Sequence, residues 1–209
     1  MDLPDRMKAY ELEHRASLPP RTWTILRLDG RAFGTWTRGL QWPYSTRFIG
    51  AMGRGMAELC ESLSGTVIGY AASDEISLVL TDFAKPDTEP MFGGQVQKLV
   101  SISASILTAH FARSFIERDV ATFDARVFTL PYRDEVRNYL LWRQASARNN
   151  ARNTLEARGG APATADPRFV DGQTCHRTQA FARWVWEVQP APTLDCQPGT
   201  FLEDVLPAP

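Results

Sequence analysis

Stretches of helical spacing alternate along this chain with short apolar runs bounded by turn residues, and that alternation predicts mixed helix and strand structure. Leu3, Met7 and Tyr10 recur among charges, so the first fifteen residues read as a short amphipathic helix that ends before Pro19-Pro20. Thr22 to Leu28 (TWTILRL) is a β-rich run that stops at Asp29-Gly30. Ser45 is positioned to cap a helix whose apolar positions are Phe48, Ile49, Met52, Met56, Leu59, Cys60 and Leu63, with Gly65 ending it. Thr66 to Ala72 and Ile76 to Leu80 are two short strands separated by Ser73-Asp74-Glu75, a hairpin pattern.

After a Pro- and Gly-containing loop from Ala84 to Gly94, a long helix carries Val96, Leu99, Val100, Ile102, Ser103, Ile106, Leu107, His110 and Phe111 as its inward stripe. Ala121 to Leu130 supplies a fourth strand, and Pro131 opens a helix to about Asn149 with Val136, Tyr139, Leu140 and Trp142 on its buried side. Glu156 to Asp171 lacks periodicity and reads as a flexible loop; Phe181 to Val188 is strand-like, and the Pro-rich last twenty residues read as irregular. The order β-α-β-β-α-β predicts an α+β fold of the palm type, a split, ferredoxin-like antiparallel sheet with helices on one face. Residues 1–155 form the palm-like domain of this reading; residues 156–209 pack on it as an appendage.

Composition narrows the setting. A net charge of −1 gives no global attraction for nucleic acid, so a polyanion must be held by a local patch. Cys60, Cys175 and Cys196 are few and far apart, which fits a reducing, cytoplasmic environment, and no stretch approaches the ~18 apolar residues of a membrane span.

In a right-handed βαβ crossover the first two strands run parallel, so Asp29 and the Asp74-Glu75 pair converge at one sheet edge. Clustered carboxylates repel unless a cation lies between them, and hard oxygen ligands suit magnesium. The same residues are also ordinary turn formers, and spacing alone leaves both readings open.

Three segments add to this. RLDGRAF (Arg27 to Phe33), SDEISLVL (Ser73 to Leu80) and FDARVFTLPYRDEVRNYLLWRQ (Phe123 to Gln144) resemble, in order and separation, the tRNA-His guanylyltransferase (Thg1) family, and most closely its Thg1-like branch. The resemblance implies that Asp29, the Gly30 carbonyl and Asp74 hold two magnesium ions, with Glu75 beside them as a further catalytic carboxylate. It implies that Asp29, Gly30, Arg31, Ala32, Phe33, Gly34, Ser73, Asp74 and Lys98 contact a nucleoside triphosphate. The activity it implies is 3′-to-5′ nucleotide addition: ATP or GTP activates a tRNA 5′-monophosphate, and the 3′-hydroxyl of an incoming GTP then attacks. It also implies a homotetramer, a dimer of dimers.

Arginines at 133, 137, 143, 148, 152 and 158 outnumber the nearby acids, which predicts a polyanion-binding face there. The resemblance adds Arg143, Gln144 and Asn150 as matching positions and Arg27 as a phosphate contact, and with Arg148 these are the expected tRNA contacts. Gly34, Trp42-Pro43 and Ser45 depart from the family's usual His, Lys-Pro and Asp. A palm-shaped module that binds nucleotide or RNA without turnover, and a nucleotidyl cyclase, are the competing readings.

Overall fold

The computed structural model describes all residues except 42, 84, 158, 181–182, 196–198 and 208–209, so the readings that fall on Trp42, Ala84, Arg158, Phe181 and Cys196 lie outside the described residues. Its elements in chain order are α1 (Leu3–Glu13), β1 (Trp23–Gly30), α2 (Phe33–Trp36), α3 (Thr46–Ser62), β2 (Thr66–Ala72), β3 (Glu75–Leu80), α4 (Val96–Ala112), β4 (Phe123–Leu130), α5 (Arg133–Glu156), α6 (Pro167–Val170), β5 (Gln173–Ala180), β6 (Arg183–Pro190) and α7 (Phe201–Val205). Ser45 caps α3 as expected, its hydroxyl accepting from the Phe48 N–H at 3.3 Å. Gly65 follows α3 at φ +82°, where a Cβ would lie 2.4 Å from the Thr81 carbonyl oxygen.

The strands form one antiparallel sheet in the order β4-β1-β3-β2-β5-β6. The first four are the split palm core, and the β5-β6 hairpin extends it beyond β2. Alternation along the strands divides the interior into two layers. Leu26, Leu28, Ile76, Leu78 and Leu80 face α3 and α4, but helices are not confined to this face. Ile25, Ile68, Tyr70 and Val79 face the opposite way, and that second face is covered by Val136, Tyr139 and Leu140 of α5 with Leu194, Leu202 and Leu206 of the C-terminal segment.

The departures from the sequence reading have local causes. β1 runs on through Asp29 and Gly30 because both pair with neighbouring strands. α5 continues past Asn149 to Glu156, held by buried Ala151 and Leu155. β5 reads as polar, yet Gln173 and Thr174 are buried, with the Gln173 amide donating to the Ile49 carbonyl at 3.0 Å. The tail is not irregular throughout: α7 packs Leu202 into the second layer. Trp142 is 54% exposed and Ile102 37%, so neither belongs to the buried stripe assigned to it; α4 instead buries Leu99, Ser103, Leu107 and Phe111. α1 buries none of its residues. Among the described residues no helix is long and apolar enough to cross a membrane.

Candidate active site

Three strand ends bring carboxylates to one edge of the sheet. Asp29 lies opposite Glu75 on β3 and opposite Asp124 on β4. The two-residue turn between β2 and β3 adds Asp74, and the Gly30 N–H donates to the Asp74 carbonyl at 3.1 Å, tying this turn to the end of β1. Ser73 in that turn has φ +54°, a left-handed conformation that costs a serine of the order of 1 kcal/mol, and its hydroxyl donates to Asp74 Oδ1 at 3.0 Å.

The glycine after Asp29 has a packing reason. A Cβ at Gly30 would lie 2.3 Å from the Phe33 ring, and Phe33 is buried among Trp36, Phe48, Phe111 and Phe123 with centroid separations of 5.0–5.9 Å. Aromatic contacts of this kind contribute about 0.5–1.5 kcal/mol per pair beyond area burial, so residues 31–37 are anchored firmly beside Asp29. Ala32, at φ +57°, makes the bend into α2.

The carboxylates differ in surroundings. Asp29 is 36% exposed, with Arg126 at 3.9 Å; Arg126 also reaches Asp124 at 3.3 Å. Burial raises the Asp74 carboxyl above its ordinary range and the Asp29 charge adds to this, against hydrogen bonds from its own backbone N–H and from Ser73. Glu75 is also raised by burial, but Arg143 and then Arg27 oppose it. Arg143 is bidentate on Glu75 at 2.7 Å through Nε and 2.7 Å through a terminal nitrogen, and Arg27 adds a contact of 2.8 Å. With two guanidiniums in place we take Glu75 as ionised at neutral pH.

Two clefts flank the Ser73-Asp74 turn. One, of about 390 Å³, lies between residues 33–49 and Thr154, Arg168 and Phe169. The other, of about 240 Å³, is lined by Asp29, Tyr70, Glu75, Arg143, Asn150 and Thr154 among others. Phe169 borders both and stacks on Tyr44 at 4.7 Å.

Of the residues expected here, the fold gathers Asp29, Gly30, Arg31, Ala32, Phe33, Gly34, Ser73, Asp74 and Glu75 at this edge. Phe33 is 4% exposed and acts as an anchor for the loop. Asn150 reaches the smaller cleft. Lys98 does not come near within this chain: it sits in the first turn of α4, beside Tyr10, His14 and Arg15, with about 20 Å of helix between it and the Phe111 end that packs near Asp29.

On α5 most of the arginines expected to meet tRNA are paired with carboxylates. Gln144 is 1% exposed and spends its amide on the Asp171 and Pro192 carbonyls and the Leu194 N–H, so it is no RNA contact. Arg148 is bound to Asp171, Arg133 and Arg137 to Glu203, and Arg27 and Arg143 to Glu75. Asp124, Arg126, Tyr44 and Phe169 belong to the site and were not singled out from the sequence; Asp124 and Arg126 stand in the FDAR segment, where alternate positions share the Asp29 face.

Among the described residues no three His, Cys, Asp or Glu side chains gather to hold a metal, and Glu75 is committed to arginines. What remains, the Asp29 and Asp74 carboxylates and the Gly30 carbonyl, is still a fitting donor set for magnesium, which takes one or two protein carboxylates and completes its shell with phosphates and water.

Comparison with known proteins gives the chain its relatives. Residues 4–131 match the family described as tRNA-His guanylyltransferase. A tRNA(His) guanylyltransferase of Neurospora crassa is 30% identical over 178 residues, 78% of this chain and 59% of that protein; a probable one of Dictyostelium discoideum is 31% identical over 142 residues, 63% of this chain and 54% of that protein. The chain thus spans somewhat under three fifths of the length of these two curated relatives. A bacterial Thg1-like protein solved in complex with GTP superposes with TM-score 0.86 at 32% identity, covering 91% of this chain and 92% of that one, and one in complex with ATP with TM-score 0.84 at 30%, covering 90% and 92%. The Saccharomyces cerevisiae enzyme, 16% identical with TM-score 0.68 over 87% of this chain and 95% of that one, shares the fold. This chain belongs to the tRNA-His guanylyltransferase family.

Proposed function

We propose that the chain adds nucleotides to the 5′ end of a tRNA in the 3′-to-5′ direction. The observation that carries this reading is the Gly30 to Asp74 backbone hydrogen bond, which locks two aspartates together at a sheet edge between two clefts. The nucleotide complexes of the bacterial relatives and the names of the curated ones support the same chemistry.

Asp29, Asp74 and the Gly30 carbonyl are the groups that would hold magnesium. When bound, the metal neutralises phosphate charge and orients the triphosphate for in-line transfer. The chain's own residues do the positioning. Phe33 and its aromatic neighbours fix the backbone of residues 31–34 against the larger cleft, where the triphosphate nucleotide fits. Arg31, exposed at the rim, and Arg126, beside Asp29, are placed to meet phosphate oxygens. Arg27 and Arg143 hold Glu75 in an ion pair, which keeps its negative charge from adding to that of the aspartates.

The reaction runs in two balanced steps. An oxygen of the tRNA 5′-monophosphate attacks the α-phosphorus of ATP and pyrophosphate leaves; the 3′-hydroxyl of GTP then attacks the activated 5′-phosphorus, AMP leaves, and the hydroxyl proton passes to solvent. Asp74 carries no salt bridge among the described residues, so its charge is available to a ligand, which favours an active enzyme over a silent binding module.

The test is incubation of the protein with magnesium, ATP, labelled GTP and two 5′-monophosphorylated tRNAs, one full-length tRNA-His and one lacking its first nucleotide. Label is expected in RNA, and its distribution separates guanylylation from templated repair. GTP binding with no label in either RNA would overturn the reading, and formation of a cyclic nucleotide without RNA would replace it with cyclisation.

A further inference from the structure

α5 does not present the cationic face that its sequence suggests, because Arg133, Arg137, Arg143 and Arg148 are each paired with a carboxylate. Uncompensated positive charge lies instead around α2 and the end of α4. Arg31, Arg38 and Arg113 are exposed and make no ion pair among the described residues. Arg54 on α3 donates to the neutral Ser114 hydroxyl at 3.0 Å. Arg118 donates to the backbone carbonyls of Trp36 and Arg38 and acts on Glu117, which Arg47 already binds, only as a more distant charge.

These arginines share one surface. The Trp36 indole N–H donates to the Asp119 carbonyl at 2.7 Å, Arg118 lies 4.8 Å over the Trp36 ring, and the Arg31 N–H donates to the Thr122 carbonyl at 2.9 Å. Residues 31–38 are thereby stitched to residues 113–122. Within these two segments the acids are Glu117, which Arg47 neutralises, and Asp119. Arg31 follows Asp29 by two residues, so the surface begins at the candidate active site.

We propose that this arginine surface, and not α5, is where the phosphate backbone of the RNA lies while its 5′ end reaches Asp29 and Asp74. The proposal rests on the 5′-addition reading. Several spaced guanidiniums without acidic partners suit a polyphosphate, whose binding releases counterions and is therefore salt-dependent. Exposed Ile116 and Val120 lie in the same stretch, but the charge excess favours nucleic acid over a second copy of this chain.

The test compares wild type, the double variant Arg38→Glu/Arg113→Glu, and Arg152→Glu, an exposed α5 arginine, as control. All three positions are exposed, so the fold should be unaffected, which thermal melts check. Binding of a 5′-monophosphorylated tRNA is measured across salt concentrations, together with GTP affinity and oligomeric state. The double variant is expected to bind the tRNA at least about ten-fold more weakly at low salt, with the log-log salt slope reduced by roughly one to two. GTP affinity should be unchanged, and Arg152→Glu should match wild type.

Unchanged tRNA affinity and slope in the double variant, an equal loss in Arg152→Glu, or a change of oligomeric state in place of RNA affinity would overturn the proposal. If tRNA binding falls as expected but wild type adds no nucleotide, the surface stands and the reaction does not. If the double variant adds nucleotides with unaltered kcat and KM for tRNA, the reaction stands and the surface does not.

Discussion

Arg143 and Glu75, with side chains 15% and 12% exposed, form the most enclosed ion pair at the candidate site. Removing one partner of such a pair leaves the other desolvated. Arg143→Ala should therefore destabilise the protein by about 2–4 kcal/mol in urea denaturation, toward the low end because Arg27 still contacts Glu75. A loss below about 0.5 kcal/mol, the range of ordinary surface changes, would show that the pair is solvated. This contact spans 68 residues and joins a strand to a helix, so nothing in local sequence pattern announces it. Asp29 and Asp74 are legible for the opposite reason: a charged residue ending an apolar run, and another in a two-residue turn, mark strand ends, and the crossover rule places those ends together. The roles of Phe33 and Gly30 are legible only in part. Their motif points to the site, but the collision that a Cβ at Gly30 would make with the Phe33 ring depends on packing across α3, α4 and β4.

At the scale of elements, the C-terminal strap fixes α5. Gln144 joins the helix to three points on residues 171–194 through buried and part-buried hydrogen bonds of 2.8–3.2 Å. Gln144→Leu would leave those backbone groups unsatisfied and should cost about 2–4 kcal/mol, a fall in melting temperature of several degrees for a chain of this size. An unchanged melting temperature would mean that the ion pairs of Arg133, Arg137 and Arg148 and the buried leucines hold the strap without it. β2 and β3 are legible as short apolar runs on either side of a turn, and α3 and α4 by the helical spacing of most of their apolar positions. β5 is not: it satisfies buried polar side chains with hydrogen bonds, so its burial leaves no hydrophobic pattern. The arginines of α5 mislead because charge counting takes no account of Glu75, Asp171 and Glu203, which come from distant parts of the chain and neutralise them.

For the molecule as a whole, the palm core holds the aspartates on a rigid sheet edge, while the β5-β6 hairpin and the C-terminal segment close the second face. Electrostatics at that edge work against stability. A carboxyl held above its unfolded value of 3.8 contributes stability that is present below that pH and lost as pH rises through its folded value. At neutral pH an ionised Asp74, partly desolvated and beside Asp29, is thus a cost that the folded protein carries when no cation is bound. Asparagine keeps the shape and removes the charge, so Asp74→Asn should melt at the same temperature as wild type or higher in the absence of magnesium. The same substitution removes a proposed metal ligand; since even outer-shell partners of metal sites cost 10–100-fold when lost, activity should fall by at least about 100-fold.

The most direct measurement is therefore labelled-GTP incorporation into 5′-monophosphorylated tRNA by wild type and Asp74→Asn, with the melting temperatures of both proteins recorded alongside. Incorporation by wild type, with its near-complete loss in a variant that is equally or more stable, is the predicted result. Wild-type rates in Asp74→Asn would contradict the assignment of this sheet edge as the catalytic centre.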